Sequence, residues 1–190
     1  RKLELDAAGE TVHRGGAFKV PEELSGYFIN DPKLRSYLDY ILSDMMRKLT
    51  AGHGFVALTS GDGKPMVLAR RGISEETTAS IAGWFVARAD YDPMEKFLVT
   101  DISGDRRTAE IRNLLPGGDA PVYFHPLTKD GKTFGLIFFQ SENEGADAPH
   151  VGSIFDVVST YSGFIGFLVR GILTGGKDMQ EEPEKTGGPD

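Results

Sequence analysis

At 190 residues, 39% hydrophobic and 26% charged, the chain has the size and composition of a single globular domain with tails. A net charge of -7 removes the excess of Lys and Arg on which binding to nucleic acid or an anionic membrane relies. The absence of cysteine (Cys 0) excludes disulfides, thiolate metal sites, thiol nucleophiles and cysteine-linked chromophores.

Residues 1–31 are broken by Gly9, Gly15, Gly16 and Pro21 and read as a linker or the edge of a preceding domain, with Lys2-Leu3-Glu4-Leu5 alternating like a short strand. Asp31 is placed to cap a helix whose first residue is Pro32. Leu34, Leu38, Ile41, Met45 and Leu49 then form one apolar stripe to about Thr50, with Gly52 and Gly54 expected to end the helix. Strands over 55–60 and 65–71 flank Gly61-Asp62-Gly63-Lys64, a hairpin turn. Ser74 caps a helix running to about Arg88, with Glu75 and Glu76 at the positive end of its dipole. A loop over 90–95 and a strand over 97–102 follow, then a short helix over 107–115 stopped by Pro116-Gly117-Gly118. A second hairpin joins 121–127 to 133–141 around Lys129-Asp130-Gly131-Lys132. Its second arm is apolar on both faces, which predicts a central strand. After a polar loop over 142–149, Ile154, Val158, Tyr161, Ile165, Leu168 and Ile172 repeat at spacings of four and three, the pattern of a helix seam. From 174 onward the chain is rich in Gly, Pro and charge, as expected of a disordered tail.

This order predicts an α/β (α+β) sandwich: a mostly antiparallel sheet of about five or six strands, terminal helices on one face, shorter helices and loops on the other. The pattern resembles the GAF domain family over about 32–171. The resemblance rests on Ala51-Gly52-His53-Gly54-Phe55-Val56-Ala57-Leu58, Asp62-Gly63, Ala69-Arg70-Arg71-Gly72, Pro126-Leu127, Gly131 and Phe134-Gly135-Leu136-Ile137-Phe138. It implies a GAF-like domain at 32–173, a non-catalytic sensory or regulatory module, homodimeric through its terminal helices, beside an output domain in a signalling or transcription-regulating protein. The Asn-Lys-Phe-Asp-Glu set of the cyclic-nucleotide members is absent, with only Lys96-Phe97 matching.

The residues bear on that expectation one by one. His13, His53, His125 and His150 lack metal-site spacing, and no serine sits in a nucleophile elbow, so neither a metal, a cofactor nor catalysis is expected. Strand alternation sets Phe55, Ala57 and Thr59 against Val56, Leu58 and Ser60. The small and polar Ala57 and Thr59 suit a ligand-facing surface; Val56 and Leu58 suit packing on the terminal helices. Trp84, Phe85, Leu98, Thr100, Phe124 and Phe138 are ligand-pocket candidates or plain core, and Arg112 is an anion partner or a solvated charge. His125 borders the same expected pocket. Leu34, Leu38, Ile41 and Met45 of the first helix, with Ile154, Val158, Tyr161, Ile165, Leu168 and Ile172 of the last, form the expected dimer seam. The last helix is apolar nearly all round, so several sides of it need cover. A ligand-free dimerisation scaffold fits the same helices and predicts a pocket filled by its own Phe side chains. The chain has no apolar run long enough to span a bilayer, and a cytoplasmic location is expected. Because it begins at Arg1 and ends in a hydrophilic tail, it is read as part of a longer polypeptide.

Overall fold

The computed structural model describes residues 4–5, 11–12, 20, 26, 28, 30–89, 97–99, 101–129, 132–142 and 151–178. The expected loop at 90–95, nearly all of that at 142–149, the tail beyond 178 and most of 1–31 lie outside these. Glu4–Leu5 (β1) pairs antiparallel with Thr11–Val12 (β2). Helix α1, Pro32–Leu49, starts as the sequence predicts: the Asp31 carboxylate accepts from the backbone N–H of Lys33 and Leu34 at 2.8 and 3.0 Å. Its end differs from expectation. Thr50 takes the left-handed conformation (φ 51°) and donates its N–H to Met46 O, and Ala51 already belongs to strand β3, Ala51–Thr59. Gly52 and Gly54 therefore lie inside the strand, where the neighbouring chain comes close. A Cβ on Gly54 would sit 2.8 Å from the Phe139 ring.

Strand β4, Pro65–Arg71, pairs with β3 across a tight turn. Gly63 N–H donates to Ser60 O and Ser60 N–H to Lys64 O, both at 2.9 Å, and only Gly63 of the turn has positive φ (82°). The connection is thus a three-residue loop with its glycine in the left-handed region. Helix α2, Glu75–Ala89, is capped by Ser74 Oγ, which accepts from Thr77 N–H at 3.1 Å. Strand β5, Phe97–Val99, is shorter than predicted and gives way to turns. The expected helix over 107–115 is not formed as such. Asp105 Oδ1 accepts from Arg107 N–H at 2.7 Å, as a helix cap does, but no α-helical ladder follows. From Thr108 to Ala120 the chain advances by i to i-3 hydrogen bonds, with a single 3-10 turn at Arg112–Leu114.

Strands β6, Val122–Lys129, and β7, Lys132–Ser141, complete a five-stranded sheet of order β4-β3-β7-β6-β5, antiparallel throughout. Strand β7 is central, as its doubly apolar sequence predicts. Helix α3, Val151–Asp178, runs through Gly175 and Gly176, beyond the point where the sequence places the start of a tail.

The sheet separates two cores. On one face Val56, Leu58, Tyr123, Ile137 and Phe139 meet α1 and α3; on the other Phe55, Ala57, Phe124, Leu136 and Phe138 meet α2 and the turns after β5. The assignment of Val56 and Leu58 to the terminal-helix side agrees with their size. A bulge in β7 opposite Leu127 and Thr128 turns Phe134 onto the helix side as well.

Gly72 has φ +67°, and a Cβ there would lie 2.0 Å from Gly52 O. Gly72→Ala is therefore expected to lower unfolding free energy by about 2–4 kcal/mol through strain and overlap. Gly83→Ala, in α2 with nothing within 4 Å, is expected to raise it by about 0.5–1 kcal/mol. Urea unfolding of the two variants checks both signs.

Candidate functional site

The second face of the sheet is where the sequence places a ligand, and it is built around stacked rings. Phe55 and Phe138 come from adjacent central strands and stack at 5.0 Å; Phe124 of β6 meets Phe138 edge-on at 5.2 Å; Trp84 of α2 tilts onto Phe124 at 5.6 Å. Contacts of this kind are worth about 0.5–1.5 kcal/mol each beyond area burial. Of the expected ligand residues, Ala57, Thr59, Phe85, Phe124 and Phe138 are all buried, and Trp84 is half-buried. Thr59 O also accepts from Val20 N–H at 2.8 Å. Leu98 lies in β5, its side chain outside the described residues, and Thr100 lies outside them altogether. Arg112 is exposed, and its Nε and Nη2 both donate to Asp119 at 3.2 Å. His125 sits on the opposite face from the expected pocket. It follows Tyr123 by two residues and hydrogen-bonds that phenol at 3.1 Å, while burial raises the Tyr123 phenol above its ordinary range.

Polar groups that sequence reasoning missed close the rim of this face. Trp84 Nε1 donates to Glu110 Oε2 and Arg88 Nη2 to Glu110 Oε1, each at 2.9 Å, and the Arg88 guanidinium lies 4.9 Å from the Trp84 ring centroid. Gln140 of β7 is fully buried. Its amide donates to Gly118 O and Ala120 O at 3.1 Å and accepts from Gly117 N–H at 2.9 Å, which fixes the turns to the sheet. No local pattern signals these pairs, because their members are 20 to 26 residues apart.

The residues expected at a dimer seam lie largely inside the chain's own helix-side core. Leu38, Ile41, Met45, Ile154, Val158 and Ile165 are buried within the chain's own core, and Leu34, Tyr161 and Ile172 pack against it. Leu168 is half-buried. The periodic stripe thus faces the sheet, and among the described residues of these helices the large apolar side chains left outside are Tyr37, Tyr40, Phe164 and Phe167. Between α1 and α3 lies a polar clasp. The Tyr161 hydroxyl donates to Asp44 Oδ2, Lys48 Nζ reaches Asp44 at 2.8 Å and the Tyr161 oxygen at 2.5 Å, and Arg47 donates to Asp44 Oδ1. These hydrogen bonds, led by that of Lys48, hold the Asp44 carboxyl well below the usual carboxylate range.

A surface groove of about 860 Å³ runs along edge strand β4, between Arg35 and Asp39 of α1 and Glu75 of α2. None of the expected ligand residues lines it. Pro65 and the bulge at Leu68 blunt this edge against strand addition. Among the described residues no helix is long and apolar enough to cross a membrane, and no three His, Asp or Glu are grouped to hold a metal.

No protein-family model and no curated protein matches the chain. Solved structures do. A domain assigned to a two-component sensor histidine kinase from Sinorhizobium meliloti 1021 is 17% identical with a TM-score of 0.61, over 77% of this chain and 97% of that one. The GAF domain of a phosphoenolpyruvate-protein phosphotransferase from Coxiella burnetii is 14% identical with a TM-score of 0.56, over 82% and 93%. The corresponding GAF domain from Acinetobacter is 13% identical with a TM-score of 0.53, over 88% and 94%. The fold of this chain is that of a GAF domain.

Two outcomes follow from the polar contacts. Gln140→Leu leaves one N–H and two carbonyls without their partner and is expected to cost about 2–3 kcal/mol in chemical unfolding. Asp44 remains ionised in the folded chain to lower pH than in the unfolded chain. Its stabilising effect is therefore complete above about pH 4 and lost as pH falls below that. The melting-temperature difference between the parent and Asp44→Asn should be largest near neutrality and shrink steadily in acid.

Proposed function

We propose that this domain is a sensory or regulatory module of a multidomain signalling or transcription-regulating protein, non-catalytic and cytoplasmic, acting as a homodimer whose terminal helices connect it to an output domain. The observation that carries the reading is the outer surface of those helices. Tyr40 is 67% exposed, Phe164 53% and Phe167 69%, on helices whose inner stripes are already fully used by the sheet. Exposed aromatic side chains in such number mark an association surface. A second copy is the occupant, since symmetric pairing places the same aromatic side chains on both sides of the contact. The fold shared with a domain from a sensor histidine kinase supports the signalling assignment. In this reading a small molecule bound on the second face changes how α2 and the turns pack on the sheet, and the sheet passes the change to α1 and α3.

One observation favours a second reading, a ligand-free dimerisation scaffold: Phe55, Phe124 and Phe138 already fill the second face.

Light scattering after size exclusion is expected to give a dimer at tens of micromolar, with Phe167→Glu shifting it to monomer and leaving the melting temperature within about 3 °C. A monomeric parent, or a variant that stays dimeric, overturns the dimer. Native mass spectrometry across a metabolite panel separates the two readings: a retained small molecule supports sensing, and persistent absence supports the scaffold.

A further inference from the structure

Three arginines of this chain make a contact that Arg88 makes only in part. Arg71, Arg107 and Arg112 each present Nε and Nη2, the parallel edge of the guanidinium, to one carboxylate. That edge matches the two oxygens of a planar oxyanion. Arg88 also faces a carboxylate, but only its Nη2 is engaged, because the second Glu110 oxygen is drawn to Trp84 Nε1. Arg88 Nε is left buried without a hydrogen-bond partner. An unpaired buried N–H is costly and calls for an explanation.

The surroundings supply one. Arg88 lies over the Trp84 ring, and Trp84 is the outermost ring of a series that continues through Phe124 and Phe138 to Phe55 at the middle of the sheet. Three donors, Trp84 Nε1, Arg88 Nη2 and Arg88 Nε, thus stand at the head of an aromatic stack, and Glu110 uses two. Glu110 is itself 65% exposed and sits on the turn segment that covers this face, so its carboxylate can leave for water at little cost.

We propose that Trp84 and Arg88 form the recognition site for an aromatic carboxylate, with Glu110 as the internal group that occupies the site until such a ligand displaces it. The ligand carboxylate takes the full Arg88 edge, gaining the bond that Glu110 does not make, and its ring joins the stack at Trp84. Displacement frees Glu110 and the turns that carry it, so binding at the rim is also what loosens the cover of the second face. This inference rests on the sensing reading above and gives it a ligand class.

The chain contains one tryptophan, so the indole N–H of Trp84 is a single resolved signal in a nitrogen-15 correlation spectrum. The probes are 2-naphthoate and its neutral counterpart 2-naphthamide. The carboxylate is expected to move that signal at concentrations about tenfold lower than the amide. Arg88→Gln should abolish the preference. Glu110→Gln, which removes the competing carboxylate and leaves Arg88 in place, should tighten naphthoate binding by about tenfold. This gain cannot arise from impaired folding. Equal binding of the two probes overturns the carboxylate site and leaves sensing at the second face intact. No response to either probe, or weaker naphthoate binding by Glu110→Gln, overturns the inference as well. The sensing reading itself stands or falls separately, on the metabolite panel.

Discussion

Two adjacent strands, β3 and β7, are apolar on both sides, and the rest of the domain is the consequence of that constraint. A strand pair with one apolar face can leave the other in water; this pair cannot. Val56, Leu58, Ile137 and Phe139 need cover on one side and Phe55, Ala57, Leu136 and Phe138 on the other. Helices α1 and α3 supply the first cover. The second is assembled from α2 and a run of turns with little regular structure of their own.

The two covers are held differently. The helix-side cover is wide and mostly apolar, with the Asp44, Lys48 and Tyr161 cluster as a polar tie between the helices. The opposite cover depends on polar ties around its rim: Glu110 to Trp84 and Arg88, Arg112 to Asp119, and Gln140 to the backbone of Gly117, Gly118 and Ala120. The Glu110 and Arg112 ties are individually modest, being water-exposed. They can be exchanged for ties to a ligand without disturbing the rings beneath, whereas an apolar helix contact has no comparable substitute.

Much of this was legible in the residues and some was not, for physical reasons. Asp31-Pro32, Ser74 and Asp62-Gly63 act within a turn of their own position, so caps and hairpin could be placed. The doubly apolar run at 134–139 announced a central strand, and the sizes of Val56 and Leu58 indicated their face. Periodicity at Leu38, Ile41, Met45, Ile154, Val158 and Ile165 states that a helix has an apolar side. It does not state what covers that side, and the sheet does so here. The stretch at 107–115 has helical composition, yet it advances by i to i-3 hydrogen bonds with one 3-10 turn and forms no α-helix. The bonds from Trp84 to Glu110 and from Asp44 to Tyr161 span 26 and 117 residues, beyond the reach of any local signal.

The passage from α1 into β3 through Thr50 alone has a mechanical meaning. A connecting loop of several residues would absorb a rotation of the helix by readjusting its own torsions. A single left-handed residue, with its N–H tied back to Met46 O, has no such slack, and the strand it feeds carries side chains of both cores. An axial twist or piston motion of α1 would therefore reach the start of β3 with little loss at the joint. Helix and strand are hinged on one residue that has little freedom to turn.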